Sequence, residues 1–255
     1  MTRAARSVAL PARAKLNLDL KVVGLRADGL HELRTIMQAI DLHDLVQVEV
    51  AATTALSISG FAVDERVNSV TAAHAALEKA AGRALPARFA LHKRIPPGSG
   101  LGGASSDAAA AMRALAAVYC LDVDLRAVAA EVGADVTFFL AGGAARVGGA
   151  GESVVGAEAH EGWFAIAWPG IELSTAAVYR AWDEVKGDGP NELRRAAATV
   201  DPRVEEFARS LGAGWQMTGS GSAFFKACAS REEAAGATGR LDCWTSVTQA
   251  VGSWA

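Results

Sequence analysis

Cysteine is scarce in this sequence, which contains only Cys120, Cys228 and Cys243 in 255 residues. An odd number of cysteines without a Cys-x-x-Cys spacing argues against a disulfide framework and against a cysteine-based zinc site. Free thiols of this kind are typical of a reducing compartment. The cysteine content therefore predicts a cytoplasmic protein.

A long apolar segment is also missing. No run of about 18 apolar residues occurs, and basic residues interrupt the first 25 residues, where a signal peptide would have its apolar core. The formal net charge of −3 produces no strong field toward a polyanion or a membrane surface. We therefore expect neither nucleic acid nor a membrane as a partner. The protein itself is expected to be a monomer or a weak homodimer.

The composition is that of an ordinary globular protein, with 51% hydrophobic and 21% charged residues. The length allows one large domain or two small ones. Glycines and charged residues replace the apolar pattern between Gly151 and Gly162, which predicts one domain over residues 1–152 and a second over 153–255. Both mix helices with strands, the second around an antiparallel sheet, so the predicted fold class is α+β.

Hydrophobic periodicity predicts the order of helices and strands. Apolar and polar residues alternate from Val8 to Val23, which indicates a half-buried strand whose polar face carries Lys15 and Asn17. An Asp28-Gly29 turn follows. Further strands are expected over 33–40, 45–50, 54–60, 88–95, 144–147, 163–168 and 243–251, with a strand–loop–strand over 215–227. Helices are expected over 69–81, 105–119, 125–132, 174–185, 204–211 and 231–240.

A cluster of glycines stands directly before the strongest helix start in the sequence. Glycine lets a backbone approach a ligand closely, and a helix N-terminus offers unpaired N–H groups at the positive end of its dipole. The stretch therefore predicts an anion site, most often one for phosphate. Its residues are Pro96, Pro97, Gly98, Ser99, Gly100, Leu101, Gly102, Gly103, Ala104, Ser105 and Ser106.

The amino-acid sequence of this loop can also be compared with other known motifs. Residues 98–103 satisfy the dinucleotide fingerprint Gly-x-Gly-x-x-Gly. However, two prolines precede the loop, and a helical segment follows where a Rossmann unit needs a strand that ends in an acidic residue. A Walker A loop is excluded because no Gly-Lys-Ser/Thr follows. A glycine turn with a serine N-cap is the simplest structural alternative.

Four stretches carry a resemblance to a known superfamily. The segment from Ile95 to Ser106 resembles the phosphate loop of the GHMP small-molecule kinases, and Met217 to Phe225 resembles their C-terminal glycine motif. Two further stretches, Ala12–Leu18 continued by Arg26–Leu33 and Gly133–Phe139, are similar to a more specific group. These are the GHMP kinases that phosphorylate 4-(cytidine 5'-diphospho)-2-C-methyl-D-erythritol in non-mevalonate isoprenoid biosynthesis.

The resemblance implies a fold and a set of ligands. The N-terminal domain would resemble domain 2 of ribosomal protein S5, and the C-terminal domain would be ferredoxin-like. ATP with Mg²⁺ would be the cofactor, held by the residues of the glycine loop, with Ser106 as a magnesium ligand. A small sugar alcohol linked to cytidine diphosphate would be the second substrate.

The resemblance also assigns residue roles. Lys15 would be the active-site lysine, and Asp135 the catalytic acid–base that accepts the proton of the substrate hydroxyl. Leu30 stands where these kinases have an aromatic residue beside the cytosine ring. The residues implied in substrate binding are Asn17, His31, Tyr179, Gly219, Ser220 and Gly221.

Each of these residues also has an ordinary structural interpretation. A lysine on the polar face of a strand is usually solvated, Asp135 precedes a short helix that it could cap, and Gly219 to Ser222 could form a simple hairpin turn. For the whole chain, a GHMP kinase for another small alcohol and a catalytically inactive nucleotide-binding protein are the alternatives.

Overall fold

A computed structural model of the chain describes residues 7–64 and 68–253. Its strands are β1 (Ser7–Leu25), β2 (His31–Val50), β3 (Ala55–Gly60), β4 (Ala87–Lys93), β5 (Ala144–Gly149), β6 (Ser153–Gly156), β7 (Trp163–Trp168), β8 (Gln216–Met217), β9 (Phe224–Cys228) and β10 (Trp244–Gln249). Its helices are α1 (Ser69–Ala81), α2 (Gly103–Tyr119), α3 (Leu125–Val132), α4 (Val136–Ala141), α5 (Thr175–Val185), α6 (Arg194–Val200), α7 (Arg203–Leu211) and α8 (Arg231–Thr238).

The first sheet is organised around β2, which is long enough to pair with three other strands. One edge of β2 pairs with β1 along nearly its whole length. The opposite edge pairs with β5 over residues 33–38 and with β4 over residues 45–50. β3 joins β4 in parallel, and β6 joins β5 antiparallel. This mostly antiparallel sheet is not the doubly wound parallel sheet of a Rossmann domain.

The second sheet follows in the chain and is antiparallel, in the order β10-β7-β9-β8. Both sheets are accompanied by helices, which agrees with the predicted α+β class. A hydrophobic cluster joins the two sheets: Leu16 and Ile40 from the first, Phe164 and Ile166 from the second, and Leu101 from the glycine loop are all buried in it. Leu101 thus anchors the loop between the sheets.

The largest core lies between the first sheet and the helices α1, α2 and α4. The alanines of α2 from Ala108 to Ala111 are buried, and their small side chains allow the helix to lie close to the sheet. A separate core joins α5, α6 and α7 to the end of β1 and to Met217 and Phe224. None of the helices within the described ranges is long and apolar enough to cross a membrane.

Most elements lie where the sequence predicted them, and α1 and β7 match to the residue. The prediction of two strands over 33–50 is wrong, because β2 runs through without a break. Its polar middle is satisfied by distant partners: the carboxylate of Asp41 accepts hydrogen bonds from Thr248 and Gln249, and Asp44 pairs with Lys93. The sequence also missed β6 and α6, which are short.

Two irregularities in β1 shape the candidate site. The pairing of β1 with β2 shifts between Arg13 and Lys15 and again between Asn17 and Asp19. Bulges of this kind re-aim side chains and bend the strand. Between the two shifts, the backbone N–H of Lys15 donates to the carbonyl of Leu101 at 3.0 Å, so this part of β1 lies directly against the glycine loop.

Candidate active site

A cavity of about 520 Å³ opens where the glycine loop meets β1, α4 and α5, a size typical of small-molecule sites. Among the predicted site residues, Leu101, Ser106, His31 and Gly221 do not line it. The structure brings together the others, which come from distant parts of the sequence. They are Lys15, Asn17, Pro96, Pro97, Gly98, Ser99, Gly100, Gly102, Gly103, Ala104, Ser105, Asp135, Tyr179, Gly219 and Ser220.

The glycine loop joins β4 to α2 and ends in a helix N-terminus without a side-chain cap. The N-cap residue is Gly102, which has no side chain to accept a hydrogen bond from the first-turn N–H groups. The alternative of a serine N-cap is therefore wrong. The Ser106 hydroxyl donates to the carbonyl of Gly103 at 2.9 Å, and the Ser99 hydroxyl donates to the carbonyl of Pro96 at 2.6 Å. The first-turn N–H groups remain available for an anion.

The loop is held against the second half of the chain by its backbone. The carbonyl of Gly98 accepts from the N–H of Leu173 at 3.1 Å, and the carbonyl of Ser99 accepts from the N–H of Ala223 at 2.9 Å. At Gly100, where φ is +79°, an added Cβ would lie 2.3 Å from the carbonyl oxygen of Thr218. A glycine is required at this position because of both the close approach and the left-handed conformation.

We expect Gly100→Ala to lower the free energy of unfolding by about 2–4 kcal/mol, since the added methyl group is overpacked and strained. ATP binding should weaken about ten-fold because the loop must move away from Thr218. Urea denaturation and calorimetric ATP titration measure the two effects. Gly156→Ala is the matched control, because nothing lies within 4 Å of a Cβ at Gly156; equal effects in both variants would contradict the prediction.

Lys15 is buried, in contrast to the solvated lysine expected for the polar face of a strand. Its side chain donates two hydrogen bonds from Nζ, to Oδ1 of Asn17 at 2.5 Å and to the carbonyl of Gly100 at 2.6 Å. Burial lowers the pKa of the ammonium, and the negative charge of Asp135 partly opposes that shift. Lys15 thus links β1, the glycine loop and Asp135.

Asn17 is held by a buried polar network. Its side-chain amide donates to the hydroxyl of Thr35 at 2.9 Å, and that hydroxyl donates to the carbonyl of Asp19 at 2.5 Å. The backbone N–H of Asn17 donates to the hydroxyl of Thr218 at 2.9 Å. Buried networks whose members are all satisfied are rigid, so Asn17 is a fixed support for Lys15.

Asp135 lies at the N-cap position of α4 but does not act as a cap. Its side chain accepts no hydrogen bond from the helix, and its φ of −74° and ψ of −15° are helical, whereas a capping residue is usually extended. The structural alternative for Asp135 is therefore wrong. The carboxylate lines the cavity and interacts electrostatically with Lys15.

Tyr179 lines the cavity from α5. Burial raises the pKa of its hydroxyl, and the charge of Asp135 raises it further, so the phenol remains protonated. His31 lies against Tyr179, with 4.9 Å between the ring centroids and 24° between the planes. His31 is therefore behind Tyr179 instead of facing it across the cavity.

The loop after β8 closes the cavity from the second sheet. Gly219 and Ser220 line it, and the amide of Asn191 donates to the carbonyls of Met217 and Gly219 at 2.8 and 2.9 Å. This loop is more than a hairpin turn, because it packs on the glycine loop through Gly100. Asn191, which is 3% exposed, is a supporting residue that the sequence alone did not assign.

Known proteins are similar to this chain over most of its length. Residues 68–143 match the family described as GHMP kinases N terminal domain. A protein of Thermotoga maritima named 4-diphosphocytidyl-2-C-methyl-D-erythritol kinase is 36% identical in an alignment of length 253 that covers 86% of this chain and 91% of the relative. A protein of the same name from Thermus thermophilus is 37% identical and covers 91% of this chain and 92% of the relative.

A solved structure agrees with these relatives. The crystal structure of a 4-(cytidine 5'-diphospho)-2C-methyl-D-erythritol kinase superposes with a TM-score of 0.80 at 34% identity, over 96% of this chain and 100% of that chain. The chain belongs to the 4-diphosphocytidyl-2-C-methyl-D-erythritol kinase family. As a member, it is an ATP-dependent small-molecule kinase with the two-domain α+β GHMP fold.

A less similar solved structure shares the fold of this family member. A homoserine kinase from Cytophaga hutchinsonii superposes with a TM-score of 0.71 at 19% identity, over 99% of this chain and 97% of that chain. At this identity the likeness concerns the fold and not the substrate. The substrate must therefore be argued from the close relatives and from the cavity.

The cavity of this family member also contains a buried charge cluster that the sequence did not predict. Lys93 donates to Asp44 and, at 2.7 Å, to Oδ2 of Asp107, and all three side chains are buried. Oδ1 of Asp107 is buried without a hydrogen-bond partner, and Asp107 lines the cavity next to the glycine loop. Desolvation raises the pKa of Asp107. The sequence gives no signal for this cluster, because its members are far apart in the chain.

Proposed function

We propose that this chain transfers the γ-phosphoryl group of ATP to a hydroxyl of 4-(cytidine 5'-diphospho)-2-C-methyl-D-erythritol. The observation that carries the proposal is the meeting of Lys15, Asp135 and an uncapped glycine-rich helix start in one cavity. The relatives that are 33–38% identical over 86–91% of this chain carry the name of that kinase. Both lines of support lead to the same reaction.

Asp135 is the proposed general base. It accepts the proton of the substrate hydroxyl while that oxygen forms a bond to the γ-phosphorus. The bond between the γ-phosphorus and its bridging oxygen breaks in the same displacement, and ADP leaves. The carboxylate is suited to this role because no helix N–H occupies it.

Lys15 and the glycine loop supply positive charge for the transfer. Phosphoryl transfer depends mainly on positioning and on stabilising the charge of the equatorial oxygens. The N–H groups at the start of α2 would hold the phosphates, and the ammonium of Lys15 would approach the transferred group. Beyond the loop, the cavity continues to Asn68 and Ser69, polar residues that we assign to the adenosine part of ATP.

The residues at the loop fit a magnesium ion bound with the nucleotide. Mg²⁺ prefers oxygen ligands and takes few from the protein when phosphates and waters supply the others. The unpartnered Oδ1 of Asp107 is such an oxygen at the cavity wall. The hydroxyl of Ser106 is engaged with Gly103 and does not line the cavity, so Asp107 is better placed than Ser106 to hold the ion. When bound, the ion would neutralise phosphate charge.

The pH dependence of the reaction follows from Lys15. If the protonated ammonium is required, kcat is high below its pKa and is lost as pH rises through that value. Because burial lowers this pKa, the loss should occur below the ordinary lysine value of about 10.4. Measurement of kcat between about pH 7 and pH 10.5 tests this expectation. A profile that is flat up to the ordinary lysine value would contradict it.

Mass spectrometry of the reaction tests the proposed function itself. Incubation with ATP, Mg²⁺ and the cytidyl substrate should add one phosphoryl group to that substrate, and homoserine and mevalonate in parallel reactions should remain unmodified. Phosphorylation of one of these two alcohols alone would replace the proposed substrate. Nucleotide binding without any transfer would favour the inactive nucleotide-binding alternative.

A further inference from the structure

His31 is enclosed by one face of α5. Besides stacking on Tyr179, its ring meets the edge of Trp182, with 5.7 Å between centroids and 87° between planes. Its Nε2 lies 2.8 Å from Oδ1 of Asp183. Tyr179, Trp182 and Asp183 are three and four residues apart and therefore share one side of the helix. The side chain of His31 is only 11% exposed, so this enclosure leaves the ring little freedom.

The direction of the hydrogen bond between His31 and Asp183 is set by the carboxylate. An ionised carboxylate only accepts hydrogen bonds, and the bond from His31 lowers the pKa of Asp183 further. Nε2 of His31 is therefore the donor. The ammonium of Lys186, the residue directly after α5, lies 3.7 Å from the same Oδ1 and 3.9 Å from the centre of the Trp182 ring. These contacts favour the charged form of Asp183.

This arrangement joins two separate parts of the fold. His31 begins β2 in the first sheet, whereas α5 follows β7 of the second sheet. Of the two stacked rings, only Tyr179 lines the cavity. One face of Tyr179 is covered by His31, so the opposite face and the hydroxyl are what the ring can present to a ligand. The position of Tyr179 thus depends on a residue that does not reach the cavity.

We propose that Asp183 is a positioning residue for substrate binding, which holds His31 against Tyr179 and so fixes the ring face offered to the nucleobase of the substrate. The inference rests on the proposed function. In it, the base stacks on Tyr179 from one side, and the ring of His31 supports Tyr179 from the other side. Aromatic stacking is sensitive to ring placement, so a loose Tyr179 ring weakens binding of the cytidyl substrate without disturbing the transfer step.

Steady-state kinetics of Asp183→Ala test the proposal. We expect KM for the cytidyl substrate to rise about three- to five-fold, as for loss of a partly exposed hydrogen bond to a carboxylate, with kcat and KM for ATP within about two-fold of wild type. Asp183→Asn should restore most of the affinity, because its amide oxygen accepts the same hydrogen bond. Glu184→Ala removes the same charge from the neighbouring exposed residue of α5 and is the matched control.

A second measurement does not depend on activity. The ring current of a neighbouring aromatic side chain changes the NMR chemical shifts of a stacked histidine. The ring-proton signals of His31 in a histidine-labelled protein therefore report the contact with Tyr179. Asp183→Ala should move them toward free-histidine values, whereas Asp183→Asn and Glu184→Ala should not. Unchanged His31 signals in Asp183→Ala would overturn the proposal, as would an equal rise of KM in Glu184→Ala or a parallel loss of kcat. If the wild-type protein transfers no phosphoryl group to the cytidyl substrate, the proposed function fails. The chemical shifts of His31 then still decide whether Asp183 holds the His31 ring against Tyr179.

Discussion

Asp135→Asn is expected to lower kcat by about 10³-fold, within the range that positioned general bases contribute. The amide has nearly the shape of the carboxylate but cannot take up the proton of the substrate hydroxyl. Because the side chain does not cap α4, the variant should fold with wild-type stability. Its affinity for ATP should change little, since the proposed nucleotide contacts come from the glycine loop. Single-turnover kinetics and calorimetric ATP titration separate these effects.

The control for this variant removes a carboxylate in the same way at an unrelated position. Asp122 is exposed and does not line the cavity, so Asp122→Asn should leave kcat within about two-fold of wild type, as for ordinary surface substitutions. A kcat of Asp135→Asn close to that of Asp122→Asn would rule out Asp135 as the base. A loss of ATP binding in Asp135→Asn would show instead that the carboxylate shapes the nucleotide site.

Lys15→Met is expected to lower kcat by about 10²–10³-fold, the usual cost of removing one preorganised charge or donor from a transition state. Methionine fills a similar volume, and removal of the desolvation penalty of a buried ammonium offsets the hydrogen bonds that Asn17 and Gly100 lose. The loss should therefore appear in catalysis and not in stability. In contrast to Asp135→Asn, this variant should also bind ATP more weakly, because the ammonium contacts Gly100 within the loop.

Measurement of both the melting temperature and kcat of Lys15→Met determines whether the effect of the substitution is catalytic. Lys79→Met is the matched control, because Lys79 is 75% exposed and pairs with Glu131 at 2.7 Å across the surface. If Lys15→Met melted far below wild type, its lost activity would reflect structural damage. Retained kcat in a stable Lys15→Met protein would contradict the assigned role.

The parts of the site that could be predicted from the sequence are continuous in the chain. The phosphate loop is one run of residues before a helix, and Lys15 and Asn17 alternate on one strand. Local patterns of this kind depend on near neighbours, which the sequence displays directly. For the same reason α1, with Asn68 as its N-cap and Gly82 as its C-cap, was predicted to the residue.

Other features depend on partners that are distant in the chain. The burial of Lys15 requires the bulged pairing of β1 and the approach of Gly100, which strand alternation does not reveal. Asp44 reads as a polar break in a strand, yet it lies within β2 opposite Ala12 of β1 and pairs with Lys93. The placement of His31 behind Tyr179 could not be predicted, since it depends on the packing of α5 against β2.

The network beneath Lys15 determines how many donors that lysine can offer a ligand. A hydroxyl has one proton, and that of Thr35 goes to the carbonyl of Asp19. Thr35 can therefore only accept from Asn17, so the amide of Asn17 cannot be turned round and must present its oxygen to Lys15. Asn17 and Gly100 then use two of the three ammonium protons. A single N–H is left for the cavity, and its direction is fixed before any substrate arrives.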